Sequence, residues 1–155
     1  ATKRPDLLNE ISDTYGSQAA VLSIEAKKLP NGGWTAMTDN GRNHTGRDVI
    51  AWAQEAASRG VGEILITSID RDGGSKGMDL DLIAAVTAAV DVPVIVSGGV
   101  GSVDHVRAAV DRGASAIAMA KALHTDTLSL LDVRQSLVKD GIPLRPYSVQ
   151  EMPGV

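Results

Sequence analysis

Four short runs rich in β-branched residues, each followed by a helical pattern, constrain the fold of this chain more than any other feature. Each run has the length of a strand, and the runs cover residues 20–24, 63–67, 92–96 and 116–119. Helical patterns follow them at 47–59, 80–90, 102–112 and 128–139, and another at 5–15 precedes the first. This alternation predicts an α/β fold with parallel strands joined by right-handed crossovers.

The helix boundaries are marked by residues with a local role. Ser102 and Thr127 stand where a side-chain oxygen could accept hydrogen bonds from the first free N–H groups of a helix. Gly60, Gly113 and Gly141 follow helical patterns and predict left-handed positions at the helix ends. The boundaries therefore agree with the periodicity.

We expect residues 1–155 to form a single domain, with a leading helix at 1–16, four βα units at 17–142 and an irregular tail at 143–155. The long segment after the first strand contains Asn31-Gly32-Gly33, which predicts a hairpin. We expect both sheet faces to be apolar. Four strands are too few for a closed eight-stranded barrel, and an open sheet leaves unpaired edges. A second copy or a separately encoded half could cover these edges. Alternatively, the strands could form a flattened doubly wound sheet.

Composition argues against several classes of function. The 155 residues include no Cys, which excludes disulfides and thiolate metal sites, and three His residues without ligand spacing, so we predict no metal. A net charge of −4 with interspersed signs argues against a nucleic-acid partner. No apolar run approaches a membrane span or a signal sequence, so we expect a cytoplasmic protein without a membrane partner.

The informative positions are those where the apolar runs stop, because ligands gather at the carboxyl ends of parallel strands. Glu25 ends the first run and is suited to proton transfer, although a solvated strand-end acid is an equally good interpretation. The turns after the other three runs are rich in small residues and suit an anion. They are 67–77, 97–101 and 119–123. A phosphorylated ligand explains all three together, whereas each turn alone is also typical of an ordinary loop.

The run from Gly62 to Gly73, with Thr67-Ser68-Ile69-Asp70-Arg71-Asp72-Gly73 at its end, resembles the cyclase family of imidazole glycerol phosphate synthase. Gly16-Ser17-Gln18 and Val94-Ile95-Val96-Ser97-Gly98-Gly99 carry the same resemblance. It runs from about residue 4 to 145 and implies the second half of a (β/α)8 barrel. It further implies a lyase-type cyclisation of a phosphorylated ribotide with ammonia, no cofactor, and a glutaminase partner. The sister isomerase barrel is a close relative.

The resemblance also implies roles for individual residues. Glu25 stands where the family has a catalytic Asp, and its extra methylene would displace the carboxylate by about an ångström, which can cost on the order of 10²-fold in rate. Thr67 and Asp72 match positions near the substrate. Lys121 replaces a small hydroxyl residue and resembles the sister isomerase. The remaining matches are phosphate-holding Gly73, Gly98, Gly99 and Ala120, substrate-loop Asn40 and Gly41, and Glu63 at the barrel's bottom.

Three functions remain open at this point. The first is a cyclase half that acts when a second copy or a separate N-terminal half completes the barrel. The second is a non-catalytic phosphate-binding half barrel or fragment that self-associates. The third is a related enzyme that uses ammonia on a sugar nucleotide. If two copies pair, Glu25 from each would face the other across the barrel mouth, and a homodimer is expected.

Overall fold

The protein is described by a computed structural model over residues 1–146. It confirms the α/β class and contains, within those residues, one six-stranded sheet. The strands are β1 (Val21–Lys28), β2 (Trp34–Thr38), β3 (Asn43–Asp48), β4 (Glu63–Ser68), β5 (Val94–Ser97) and β6 (Ala116–Ala118). Residues 147–155 of the predicted tail lie outside the described part.

The predicted helices are all present, with slightly shorter bounds. They are α1 (Asp6–Tyr15), α2 (Val49–Ser58), α3 (Leu80–Thr87), α4 (Val103–Asp111) and α6 (Leu130–Lys139), and a short α5 (Lys121–His124) follows β6. Ser102 caps α4 as predicted, because its hydroxyl accepts a hydrogen bond from the His105 N–H. The prediction for Thr127 is wrong: Ser129 caps α6 by accepting from Asp132 N–H. Within residues 1–146, no helix combines the length and apolar character required to cross a membrane.

The sheet has two parts. Strands β1, β4, β5 and β6 are parallel neighbours in that order, as the βα alternation predicts. On the other side of β1 lie β2 and then β3, both antiparallel to their neighbours. The left-handed glycines predicted after the helices are confirmed, with φ of 89° at Gly60, 92° at Gly113 and 76° at Gly141.

The two faces of the sheet differ, which corrects the prediction that both are apolar. Alternate residues of the parallel strands are buried against the helices, where they form the core together with Trp52 and Val86. These buried strand residues are Leu22, Ile24, Ala26, Ile64, Ile66, Val94 and Val96. Their neighbours face the other way and are exposed or half-buried, and they include Val21, Ser23, Glu25, Leu65, Thr67, Ile95, Ser97 and Ala118. We call this second set the open face. Its polar members suit the inner wall of a barrel mouth better than a packed core.

The predicted hairpin is confirmed, but its first strand is β1 itself. β1 continues to Lys28 and pairs with β2 from Glu25 onward, through a turn closed by the Leu29 N–H, which donates to Gly33 O at 3.0 Å. Trp34 at the start of β2 donates its indole N–H to buried Asp79 at 2.9 Å, which fixes the hairpin to the start of α3. The hairpin therefore adds β2 and β3 to the sheet beside the carboxyl-terminal part of β1.

Candidate active site

A row of side chains crosses the open face at the carboxyl end of the sheet. The strand register pairs Glu25 with Thr67, Thr67 with Ser97, and Ser97 with Ala118. Neighbouring strands lie about 4.8 Å apart, so the backbones of Glu25 and Ser97 are roughly 10 Å from each other. A carboxylate and two hydroxyls therefore share one edge, where α/β barrels assemble their reacting groups.

Glu25 is held by the hairpin. Its Oε2 accepts a hydrogen bond from the backbone N–H of Gly41 at 2.8 Å, and the side chain is half-buried. Asp39, Asn40 and Gly41 have positive φ of 57°, 54° and 75°, so this turn between β2 and β3 is left-handed. The turn directs an N–H group at the carboxylate and thereby fixes the position of one carboxylate oxygen.

The two predicted loop residues differ in their contacts. Gly41 touches both Glu25 and Ile69, because a Cβ at Gly41 would lie 3.0 Å from Ile69 Cδ1. Asn40 is exposed at the tip of the turn. Gly41 therefore belongs to the site's structure, and Asn40 lies at its rim.

A small cleft of about 60 Å³ lies at the other end of the row. It is formed by the turns after β4, β5 and β6, and its lining includes Asp72, Gly73, Ser75, Ser97, Gly98, Gly99, Val100, Met119, Ala120 and Lys121. All the residues predicted to hold phosphate line this one cleft. Ser97 lines it too and also neighbours Thr67 in register, so the row and the cleft are continuous.

Glycine is required at two positions in the cleft wall. Gly98 and Gly99 have φ of 95° and 98°, a region that strains other residues. A Cβ at Gly98 would lie 2.7 Å from Ser68 O, and one at Gly99 would lie 2.2 Å from Gly77 O. The turn after β5 thus packs directly on the backbone of the turn after β4.

Lys121 brings a positive charge to the cleft. Its ammonium group donates a hydrogen bond to the carbonyl oxygen of Gly73, which connects the start of α5 to the turn after β4. The Asp72 side chain folds back on the adjacent backbone, because its Oδ1 accepts a hydrogen bond from the Gly73 N–H at 3.0 Å. The cleft therefore combines a cation with glycine-rich backbone, the usual elements of a phosphate site.

An ion pair joins the ends of β1 and β4 above the row. Lys27 Nζ donates to Asp70 Oδ1, and the Lys28 backbone N–H donates to Asp70 Oδ2 at 2.8 Å. Partial burial opposes ionisation of Asp70, but these hydrogen bonds and the Lys27 charge hold its pKa below the ordinary value. Asp70 therefore fixes the start of the loop that carries Asp72 and Gly73.

The structure separates the predicted residues into two groups. Glu25, Thr67 and Gly41 lie at the β1 side of the row, and the cleft residues lie at the β5–β6 side. Ser97 and Asp70 lie in turns that were predicted to suit an anion, but neither was assigned a role of its own. Ser97 could have been found from strand alternation, because it lies two residues beyond Ile95 on the same face, whereas the Lys27–Asp70 pairing needs the register of β1 with β4.

Two further predictions concern charged groups. Glu63 begins β4 and pairs in register with Val21 at the amino end of the sheet, so it is remote from the row. Within residues 1–146, no group of three or more His, Cys, Asp or Glu residues is arranged to hold a metal ion.

Comparison with known proteins identifies the family of this chain. Residues 1–129 match the family model described as histidine biosynthesis protein. The imidazole glycerol phosphate synthase subunit HisF of Synechococcus sp. is 44% identical over 151 residues, covering 94% of this chain. The subunits of the same name from Gluconacetobacter diazotrophicus and Mycobacteroides abscessus are 40% and 44% identical, over 99% and 94% of the chain.

The chain spans 59% of the length of each of these curated relatives. The resemblance drawn from the strand-end motifs is confirmed, and partial coverage agrees with a half barrel. On the match of residues 1–129, the chain belongs to the histidine biosynthesis protein family.

Proposed function

We propose that this chain supplies half of a cyclase barrel that acts in the cytoplasm once the barrel is completed. The reaction converts a phosphoribulosyl formimino-carboxamide ribotide and ammonia into imidazole glycerol phosphate, aminoimidazole carboxamide ribotide and water. The observation that carries the proposal is the continuity of the Glu25–Thr67–Ser97 row with the glycine-rich cleft. A ligand seated by its phosphate in the cleft would extend along the row toward Glu25.

Glu25 is the proposed general acid or base. Ring closure with ammonia requires protons to move on and off nitrogen and oxygen, and a positioned carboxylate can transfer them. The Gly41 N–H holds Oε2, which leaves Oε1 as the oxygen for the substrate. Thr67 lies beside Glu25 in register and can donate a hydrogen bond to the same substrate segment. Asp72 lines the cleft and is the second proposed acidic group.

The cleft is the proposed phosphate site. Gly73, Gly98, Gly99 and Ala120 offer backbone at close range, because side chains beyond Cβ are absent there. Lys121 adds a cation that a dianionic phosphate would attract away from the Gly73 carbonyl. No cofactor is needed for this chemistry.

Completion of the barrel is part of the proposal. β2 pairs with β1 only from Glu25 to Lys28, so the β1 edge at Val21–Ile24 lacks a second strand within the described residues. β6 pairs only with β5 there. A largely apolar groove of about 480 Å³ runs beside β6, and its lining includes Val106, Ile117, Leu130, Val133 and Leu137. A second copy or a separate N-terminal half would cover both edges, and a glutaminase would supply the ammonia.

A second candidate is phosphate binding without turnover by a self-associating half barrel. It is favoured by Glu25 itself, which is longer than the Asp of the resembled family and is already engaged by Gly41. The two candidates share the cleft and differ in whether Glu25 transfers a proton.

An assay of ammonia-dependent cyclisation tests the proposal. Product formation is measured with and without an added N-terminal half. We expect turnover by the completed barrel, an increase in Glu25→Asp, and loss in Glu25→Gln. Phosphate binding without turnover in both the unchanged chain and Glu25→Asp, each tested in the completed barrel, would favour the second candidate. Absence of phosphate binding would contradict both.

A further inference from the structure

We propose that His105 is a positioning residue for the phosphate-binding turn after β5, an inference that rests on the proposed phosphate site. His105 lies in the first turn of α4, and its Nδ1 accepts a hydrogen bond from the backbone N–H of Gly101 at 3.1 Å. An imidazole nitrogen accepts through its lone pair, so this contact uses Nδ1 as the hydrogen-bond acceptor.

The bond fixes the end of a turn that borders the cleft. Gly98, Gly99 and Val100 line the cleft, and Gly101 is the next residue. Ser102 caps α4 by accepting from the His105 N–H at 3.3 Å, while the His105 side chain binds back to Gly101. This reciprocal arrangement resembles a capping box displaced by one residue. It attaches the glycine-rich Gly98–Gly101 segment to the start of a helix.

His105 also contacts the second turn of the cleft. A Cβ at Gly77 would lie 3.6 Å from His105 Nε2, so the ring packs against that backbone. The Gly77 N–H donates to Gly99 O at 2.9 Å, and a Cβ at Gly101 would lie only 2.2 Å from Ser75 O. The imidazole therefore contacts the backbone of both turns, although it does not line the cleft.

An ordinary helix cap would stabilise α4 without affecting the ligand. A positioning residue has a further consequence, because loss of the Gly101 bond frees the turn, and phosphate must then order it on binding. Two variants that differ in whether they keep a hydrogen-bond acceptor at this position distinguish the capping role from the positioning role. His105→Asn retains an oxygen acceptor near the position of Nδ1, whereas His105→Phe retains a planar ring of similar size without any acceptor.

The test is binding of inorganic phosphate to the full chain, measured by calorimetry. We expect His105→Phe to weaken binding about threefold to tenfold, the effect of one lost hydrogen bond, and His105→Asn to stay within about twofold of the unchanged chain. Ser129→Ala removes the cap of α6 at a residue outside the cleft lining, and serves as the control for general destabilisation. It should leave phosphate affinity unchanged.

A spectroscopic readout does not depend on a variant that folds. The N–H···N bond from Gly101 to His105 should give a measurable coupling between the two nitrogens by NMR in the unchanged chain. Absence of that coupling, or equal phosphate affinity in His105→Phe and the unchanged chain, overturns the positioning role alone. An unchanged chain that does not bind phosphate overturns the proposed function and this inference together.

Discussion

The carboxylate of Glu25 accepts a hydrogen bond from the backbone N–H of Gly41, with 2.8 Å between oxygen and nitrogen. This contact joins the last part of β1 to the left-handed turn between β2 and β3. A flexible strand-end acid would sample several rotamers, whereas this one has an oxygen with a fixed partner. The hairpin thus supports the proposed reacting group directly.

Glu25→Gln should abolish catalysis while preserving the fold. The amide oxygen of Gln can still accept from Gly41, so the melting temperature should change little. Proton transfer is lost, which typically costs about 10²- to 10⁴-fold in rate. Cyclisation rates and thermal unfolding of the completed barrel check this. Retention of most of the rate would show that Glu25 has no acid–base role.

Lys121→Ala should weaken phosphate binding roughly tenfold, because a charge-assisted hydrogen bond is removed from the cleft. The affinity should also become less sensitive to salt. Lys139→Ala is the matched control, since Lys139 is an exposed lysine at the end of α6. Titration with inorganic phosphate at two salt concentrations measures both effects. Equal losses in the two variants would point to overall charge rather than to the cleft.

Gly99→Ala should destabilise the protein by more than about 3 kcal/mol, because the new Cβ would meet Gly77 O at 2.2 Å. Gly141→Ala separates backbone strain from this clash. Gly141 also has a positive φ, 76°, but a Cβ there meets nothing within 4 Å. We expect it to cost only about 1 kcal/mol. Urea unfolding gives both values, and similar costs would refute the close approach of the two turns.

Asp70 should make stability depend on acid pH. Its pKa is lowered in the folded protein, so its contribution is fully present above the unfolded pKa, about 3.9, and is lost as pH falls through the folded pKa. Asp70→Asn should therefore be less stable than the unchanged chain at pH 7, by no more than about 1 kcal/mol. The difference should shrink below pH 4.

Asp81→Asn is the comparison for Asp70. Asp81 lies 3.8 Å from Lys28 Nζ and its side chain is 75% exposed, so solvent screens the pair. Its removal should therefore cost less stability at pH 7 than the removal of Asp70. A pH dependence that survives in Asp70→Asn would assign the acid sensitivity to another carboxylate.

Local patterns predicted most of the fold. The βα alternation, the Ser102 cap and the left-handed glycines follow from periodicity and from backbone chemistry within a few residues. Thr127 failed as a cap because α6 starts later, and Ser129 competes for the same role with a better-placed hydroxyl. The extension of β1 to Lys28 was missed because Lys27 and Lys28 do not resemble strand residues, although β2 pairs with both.

The site was predicted in part. Strand ends and family motifs identified Glu25, Thr67 and the cleft glycines, because each is visible within its own segment. Contacts between segments could not be predicted from the sequence, because they depend on the register between strands. They are the Glu25–Gly41 hydrogen bond, the Lys27–Asp70 ion pair and the continuity of the row with the cleft through Ser97. The mixture of polar and apolar residues on the open face could have been predicted by counting alternate residues of each strand.

The solution mass by light scattering, with and without a bisphosphate ribotide analogue, tests the central claim that the open face is the inner wall of a completed barrel. We predict that the chain forms a complex, either with a second copy or with an added N-terminal half, and that the analogue tightens it. A chain that stays at its monomer mass of 16.1 kDa at high concentration, indifferent to the analogue and to the added half, would contradict that claim.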